Sequence, residues 1–262
     1  MCSLFMASWN RALVASLLVL MCRITQATTT CPDPKTILPC ICSTNEQEIQ
    51  VWCGQSELSR IMEALKALTS LQAPIDELIF ENNVMPSLPG QVFMPLKIVR
   101  LMIRDNGLER VSSNWLLGLE TSLLELYIVE PGLRSLPDDS LSTLPKLEAI
   151  TLNVGAVKQI PSMAGLARLR YIYIQGVDLS HNRIRRIDRR VMANLPSLRR
   201  VDLSYNTLAL ADSGAFLGNP ALEIVNMSHN SLVSLSHAPF AHLVNLYELD
   251  VSYNRLKEVI FS

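Results

Sequence analysis

The segment Leu198-Arg199-Arg200-Val201-Asp202-Leu203-Ser204-Tyr205-Asn206-Thr207-Leu208 fits the pattern L-x-x-L-x-L-x-x-N-x-L at every position. The pattern begins again at Leu222 and at Leu246, which is a spacing of 24 residues in both cases. The alternation of apolar and other residues in L-x-L predicts a short strand with one face buried and one face in water. The asparagine is suited to satisfying backbone groups where the chain turns out of that strand.

Further repeats lie upstream, at spacings of 22 to 25 residues. They begin at Ile75, Ile98, Leu123, Leu147 and Leu169. The repeats at Leu123 and Leu147 are degenerate, since Pro131 and Gly155 stand where the asparagine belongs. Eight or nine repeats at such regular spacing are not a chance pattern, and we assign residues 75–262 to them. The chain therefore resembles the leucine-rich repeat family. This resemblance implies an α/β solenoid, a horseshoe with a parallel β-sheet on its concave face and short helical or irregular convex segments.

One place breaks the spacing. Ile172 and Ile174 open a repeat, but Val177 and Leu179 already match the strand of the next one. A coil cannot close in five residues, because the strand must leave the sheet, cross the back and return. We therefore expect one fused repeat near residues 172–182, with a hybrid strand or a bulge near Gly176.

Residues 1–27 have the features of a signal peptide. Arg11 precedes an apolar run over residues 12–22, and Thr25-Gln26-Ala27 offers a cleavage site with small residues. The run is shorter than the ~20 residues that a membrane-spanning helix needs. The sequence thus predicts a secreted, extracellular protein, with no membrane span in this chain.

The region 28–55 is expected to be a cysteine-rich N-terminal cap. It contains four cysteines, Cys31, Cys40, Cys42 and Cys53, for which sequence alone allows three disulfide connectivities. A zinc site is disfavoured because the compartment is oxidising and C-x-C is a poor tetrahedral arrangement. The cluster resembles the caps of extracellular leucine-rich repeat proteins, which implies the pairs Cys31–Cys42 and Cys40–Cys53.

Residues 56–74 predict an amphipathic capping helix that seals the first repeat. Its apolar face consists of Leu58, Ile61, Leu65 and Leu68. Ser56 with Glu57 is the expected start, and Pro74 is the expected end.

The order of these N-terminal features supports a narrower resemblance. Cys31-Pro32, Leu38-Pro39-Cys40-Ile41-Cys42 and the helix at 56–74 are similar to those of arthropod secreted leucine-rich repeat proteins. That subgroup includes the non-catalytic subunit of a shrimp luciferin monooxygenase.

No catalytic or cofactor-binding motif stands out. The chain has no G-x-S-x-G, no H-E-x-x-H and no phosphate-binding glycine loop, so we expect no catalytic residues, no cofactor and no metal. His181 and His229 occupy equivalent positions, but one repeat separates them, which puts them ~10 Å apart, too far to share a metal ion. The histidines are expected to be solvated. A net charge of -1 argues against a nucleic-acid ligand.

The exposed positions around each L-x-L predict a binding surface on the concave face. All six tyrosines of the chain fall at such positions, and tyrosine is common in protein-binding patches. The alternative is that tyrosine occurs at these positions because it is generally favoured in strands, without any role in binding. Glu130 is also expected on this face. The predicted partner-binding residues are Tyr127, Tyr171, Tyr173, Arg199, Tyr205, Tyr247 and Tyr253.

Two further expectations concern the C-terminal repeats. Asn226-Met227-Ser228 is the only N-x-S/T sequon and predicts a glycan on Asn226. The sequence stops at Ser262 inside a repeat, without a polar C-terminal cap, and thus predicts an open edge.

We therefore predict a secreted, non-enzymatic module that recognises a protein ligand, or mediates adhesion, through its concave face. Two alternatives stay open. One is a non-catalytic subunit that escorts or stabilises a secreted enzyme, with the partner subunit bound at the open edge. The other is a truncated ectodomain of a longer leucine-rich repeat receptor.

Overall fold

The computed structural model describes residues 31–45, 48–155, 160–175, 184–187, 191–211, 214–236 and 239–260. The elements in chain order are β1 (Cys40–Asn45), β2 (Glu48–Gly54), α1 (Leu58–Leu68), β3 (Ile75–Glu81), β4 (Ser87–Leu88), β5 (Ile98–Arg104), β6 (Arg110–Val111), β7 (Glu125–Glu130), β8 (Ala149–Val154), β9 (Tyr171–Gln175), β10 (Arg186–Ile187), β11 (Arg200–Asp202), β12 (Leu210–Ala211), β13 (Ile224–Asn226), β14 (Ser234–Ser236), β15 (Glu248–Asp250) and β16 (Glu258–Ile260).

The main sheet follows the order of the chain, as a solenoid requires. It has ten strands in the order β1-β2-β3-β5-β7-β8-β9-β11-β13-β15. Every neighbouring pair after β1–β2 is parallel, so each repeat adds one strand beside the last. Shorter parallel pairs, β4–β6, β10–β12 and β14–β16, follow the turns that leave the main sheet. The chain is therefore a leucine-rich repeat solenoid, which confirms the predicted fold.

The N-terminal cap is an antiparallel hairpin of β1 and β2 that extends the main sheet. Disulfides join Cys31 to Cys42 and Cys40 to Cys53, with Cα–Cα distances of 5.6 and 4.1 Å. This is the pairing that the resemblance implies. The signal-peptide segment lies outside the described residues. Within the described part of the chain, no helix combines the length and the apolar character needed to cross a bilayer.

Helix α1 buries the predicted face against the first repeats. Ile61, Leu65 and Leu68 are fully or almost fully buried. Glu57, one of the two residues predicted for its start, is the N-cap and makes no side-chain capping bond. The backbone N–H of Ser56 donates to Asn83 Oδ1 at 3.1 Å, which joins the start of the helix to the first repeat.

The C-terminal end of α1 lies at Leu68, well before Pro74. The hydroxyl of Thr69 donates to the carbonyl of Lys66 at 2.7 Å, and that of Ser70 donates to the carbonyl of Ala67 at 2.9 Å. Short polar side chains that bond to nearby carbonyls compete with the helical pattern. The helix therefore ends at these two residues rather than at the proline.

The repeat asparagines form a buried ladder that joins one repeat to the next. Asn230 is typical: its Nδ2 donates to the carbonyl of Leu203 in the preceding repeat at 2.9 Å. Its Oδ1 accepts the backbone N–H of Leu208, also in the preceding repeat, at 2.9 Å. Backbone groups at the turn are thereby satisfied without water, and the strands are held in register.

The ladder continues through the degenerate repeat by an unexpected residue. Glu130, which we expected on the concave face, is fully buried. Its Oε1 accepts the backbone N–H of Asn106 at 2.9 Å, and its Oε2 accepts that of Leu108 at 3.0 Å. The predicted placement of Glu130 on the concave face was wrong. Pro131 has no side-chain acceptor for the ladder, and the side chain of Glu130 accepts the two hydrogen bonds in its place.

The long repeat that begins at Leu169 adds a single strand to the main sheet among the described residues. Tyr171 of β9 lies in register with Ala149 of β8 on one side and with Arg200 of β11 on the other. The hybrid strand or bulge expected near Gly176 falls outside the described residues and stays a prediction.

Candidate functional site: the concave face of the solenoid

Strand register aligns one residue per strand along the middle of the concave face, and all of these residues except the buried Asp202 are at least partly exposed. We call this line the central row. It consists of Ile41, Trp52, Ile79, Met102, Tyr127, Thr151, Tyr173, Asp202, Asn226 and Asp250. Its first five residues are apolar or aromatic, and its last three are acidic or amide side chains. The two ends of the concave face are thus chemically different.

Three of the predicted tyrosines lie together near the middle of this face. Tyr127 and Tyr173 belong to the central row, with only Thr151 between them. Tyr171 lies two residues before Tyr173 on the same strand and is 39% exposed. The guanidinium carbon of Arg200 lies 5.7 Å from the centre of the Tyr173 ring, within the range of a cation–π contact.

Two other predicted tyrosines enclose a histidine at the C-terminal end. The rings of Tyr205 and His229 are 4.3 Å apart at 7°, and those of His229 and Tyr253 are 4.2 Å apart at 9°. We call these three residues the aromatic stack. Both faces of the imidazole are covered, so the expectation of solvated histidines is wrong for His229. It is also wrong for His242, whose Nε2 lies 2.8 Å from the carbonyl oxygen of Phe216.

The aromatic stack is built by an unusual backbone conformation. Tyr205, His229 and Tyr253 have φ values of 56°, 52° and 52°, in the left-handed region that L-residues seldom adopt. Each of them directly precedes its ladder asparagine. The repeat therefore fixes the same conformation in successive coils, and this aligns the three rings one above another.

The remaining two predicted binding residues have different surroundings. Arg199 forms a salt bridge with Glu223 of the next repeat, so its charge is already paired. Tyr247 is 71% exposed and lies directly before β15, with its backbone N–H bonded to the carbonyl of Glu223. Tyr247 is thus available for a ligand, whereas Arg199 would have to exchange one partner for another.

The acidic end of the central row is organised by short turns. Asp202, Asn226 and Asp250 each accept the backbone N–H of the serine two residues later, at 2.9 to 3.0 Å. The bond from the Ser252 backbone, followed by that from its hydroxyl, holds the pKa of Asp250 below its ordinary value, and the nearby His229 adds to the effect. Asn226, the residue of the sequon, also donates from Nδ2 to Asp202 at 3.3 Å.

The N-terminal end of the face has a feature that sequence reasoning missed. The indole Nε1 of Trp52 donates to Glu81 at 2.9 Å, and Arg104 forms a salt bridge with the same carboxylate at 2.7 Å. These two bonds hold the pKa of Glu81 below its ordinary value, with the bond from Trp52 as the larger cause. The sequence contained one signal for it. The segment Val51-Trp52-Cys53 matches the L-x-L of the repeats, which puts Trp52 at an exposed position of a strand.

The described residues contain no group of three or more histidine, cysteine or acidic side chains placed to hold a metal ion. His181 and His237 lie outside these residues. What the face offers is aromatic rings, hydroxyl groups and paired charges, which suit the binding of another macromolecule.

Comparison with known proteins agrees with this architecture. Residues 198–256 match the family model described as Leucine rich repeat. The solved structure of the Toll–Spatzle complex from Drosophila, in its glycosylated form, is similar over 80% of this chain and 27% of that chain, with 21% identity and a TM-score of 0.60. The TLR13–ssRNA13 complex is similar over 78% of this chain and 33% of that chain, with 21% identity and a TM-score of 0.50. The chain therefore spans a third or less of these solved chains, and at this identity the likeness shows the fold.

Proposed function

We propose that this chain is a secreted recognition module that binds a protein ligand through its concave face. The observation that carries the proposal is the arrangement of the tyrosines. Three lie on nearby strands at the middle of the face, and two stack with a histidine at its C-terminal end. Tyrosine buries a large amphipathic area at a low cost in side-chain entropy, which is why it is common in protein interfaces.

The exposed fractions of these tyrosines support a binding role rather than a packing role. Tyr205, Tyr247 and Tyr253 are 40%, 71% and 76% exposed, and none of them is a member of the hydrophobic core formed by the described residues. Strand preference alone does not account for Tyr247, which precedes its strand, or for Tyr205 and Tyr253, which follow theirs in a left-handed conformation.

Site-directed photo-crosslinking tests this proposal. The full chain would carry a photoreactive benzoyl-phenylalanine in place of Tyr171, and the control would carry it in place of Leu217, an exposed residue in the turn 214–218 outside the main sheet. In extracellular fluid of the source organism, we expect one discrete protein adduct from position 171 and none from position 217. Equal adducts from both positions, or none from position 171, would contradict the proposal.

The two solved structures are complexes with different ligands, since one contains Spatzle and the other contains ssRNA. We favour a protein ligand because the chain has no excess of positive charge, whereas nucleic-acid binding depends on neutralising phosphates. A labelled single-stranded RNA oligomer should show no saturable binding in fluorescence anisotropy. Binding that weakens steeply with salt would instead favour an RNA ligand.

The extracellular location is supported by the two disulfides, which persist in oxidising compartments. Two expectations stay predictions: the subunit role that the arthropod resemblance implies, and the origin as part of a longer receptor. The intact mass of the native protein after deglycosylation separates them. A mass matching residues 28–262 favours the subunit role, and a larger mass favours the receptor.

A further inference from the structure

The first part of the central row is apolar on the side of the sheet that faces solvent. Ile41, Trp52, Ile79, Met102 and Tyr127 stand in direct register on five neighbouring strands, and we call them the apolar row. None of them belongs to the buried core, and Ile41 is 59% exposed. Solvent-facing positions of a strand are normally polar. Five apolar residues in one line therefore call for a function.

The apolar row crosses the strands and is held rigidly. With strands ~4.8 Å apart, its four steps span roughly 19 Å. The Trp52 indole lies against Gly54, where an added Cβ would come within 2.2 Å of the ring, and its Nε1 is fixed by Glu81. A rigid aromatic anchor loses little entropy on binding, which favours a role at an interface.

Charged side chains flank the apolar row on both sides. Arg100 pairs with Glu48 at 3.0 Å on one side, and Arg104 pairs with Glu81 at 2.7 Å on the other. Glu77 and Glu125 stand in register on either side of Arg100. Burial would lower the pKa of Arg100, but the bond to Glu48 and the fields of the carboxylates outweigh it and raise that pKa. Four carboxylates against two guanidinium groups leave an excess of two negative charges around the row.

We propose that the apolar row is a docking site for a basic amphipathic helix of a partner protein. Apolar residues along one helix face recur at each turn, ~5.4 Å apart, close to the ~4.8 Å between strands. Same-face residues of an extended segment lie ~6.6 Å apart and fall out of step within the row. Lysine and arginine beside the helical stripe would meet the excess carboxylates. The apolar row shares only Tyr127 with the tyrosines on which the proposed function rests, and it is argued from separate observations.

Synthetic peptides of 18 residues provide the test, with binding measured by fluorescence anisotropy against the full disulfide-bonded chain. The probe is a leucine–lysine peptide with helical periodicity. A leucine–glutamate peptide of the same pattern and a leucine–lysine peptide with strict alternation are its comparisons. We expect saturable binding of the helical basic peptide, and binding of the other two weaker by about tenfold or more.

Variants then locate the site. The double variant Ile79→Thr/Met102→Thr should weaken binding of the helical basic peptide by about tenfold or more. Val244→Thr, which removes an equally apolar group at a residue that is 86% exposed, is the matched control and should not change it. Glu77→Gln/Glu125→Gln should weaken binding severalfold and reduce its salt dependence. Thermal unfolding should change little in all variants, since none of the substituted residues belongs to the buried core.

The proposal is overturned if the wild-type chain shows no saturable binding, if the acidic peptide binds equally well, or if the double variant binds like wild type. It is also overturned if sedimentation shows a wild-type dimer that the double variant loses, because the apolar row would then be covered by a second copy of the chain. If the photoreactive group at position 171 gives no adduct while the peptide results hold, only the proposed function fails and this proposal stands. The two surfaces can therefore fail separately.

Discussion

Glu130 and Asn106 are joined by two hydrogen bonds to a single oxygen: Oε1 of Glu130 accepts both the backbone N–H and the side-chain Nδ2 of Asn106, at 2.9 and 2.8 Å. The carboxylate of Glu130 therefore accepts the backbone hydrogen bonds that an asparagine accepts in the regular repeats. The arrangement is buried, and the backbone N–H of Asn106 depends on Glu130 for its acceptor, whereas Nδ2 also donates to the carbonyls of Phe80 and Arg104.

Replacing Glu130 by alanine should lower the free energy of unfolding by about 3 kcal/mol, because buried donors of Asn106 and Leu108 would lose their acceptor. Urea unfolding followed by circular dichroism measures this change. The control is Glu109→Ala, which removes an exposed ion pair with Arg134 and should cost less than about 1 kcal/mol. Similar losses in the two variants would contradict the ladder role of Glu130.

The fold was predictable because its signal is repeated. Each L-x-L buries one face of a strand, and many imperfect copies determine one architecture even where single positions fail. Glu130 was not predictable in the same way. Its position in the pattern is an exposed one. The only signal is the proline after it, whose side chain has neither a donor nor an acceptor, so that a neighbouring side chain must complete the ladder.

A second prediction compares two ladder asparagines in matched surroundings. Nδ2 of Asn206 donates to carbonyls as that of Asn230 does. Oδ1 of Asn230 accepts the N–H of Leu208, but Oδ1 of Asn206, which is buried, meets no donor within the described part of the chain. Asn230→Ala should therefore cost about 1 kcal/mol more in free energy of unfolding than Asn206→Ala. Urea unfolding of both variants checks this, and an equal or reversed order would contradict the difference between the two Oδ1 atoms.

The aromatic stack should be measurably cooperative. Stacked aromatic pairs contribute about 1 kcal/mol beyond the area they bury. A double-mutant cycle of His229→Ala and Tyr253→Ala in urea unfolding should give a coupling energy of about that size. The same cycle for His229 and Tyr173, which the structure keeps apart, serves as the reference and should give a coupling near zero. Equal couplings would show that the rings do not stabilise one another.

The pH dependence of stability should carry a contribution from Glu81. Its pKa in the folded chain lies below the ordinary value of 4.5, so its carboxylate stabilises the fold fully above pH 4.5 and loses that effect as the pH falls through the lowered value. Glu81→Gln should remove this part of the acid sensitivity. The measurement is urea unfolding from pH 7 to pH 3, where the difference between wild type and variant should shrink on acidification. A difference that stays constant or grows would contradict the assignment.

Less of the candidate site than of the fold could be read from sequence. The tyrosines were identifiable because the repeat pattern assigns each position to a face. The apolar row was not, since two of its residues, Ile41 and Trp52, lie in the cap, and a cap has no repeat to align. The stacking of His229 also escaped, because it depends on the left-handed backbone that brings residues of successive repeats into contact.

The last prediction concerns Asn226 and the part of the concave face that a glycan would cover. Its Oδ1 is held by the N–H of Ser228, and only one of the two hydrogens on Nδ2 is needed for the bond to Asp202. The other hydrogen is free for replacement by a sugar. Enzymatic deglycosylation of the native protein should therefore lower its mass by one N-linked glycan. Asn226→Gln and Ser228→Ala should both abolish this change, and Ser228→Ala keeps the Asn226 side chain as the control for folding.

With the glycan present, a photoreactive group at Tyr171 should still capture the ligand, whereas one at Tyr253 should do so only after the glycan is removed. An unchanged mass, or capture from Tyr253 while the glycan remains, would refute this account of the C-terminal repeats.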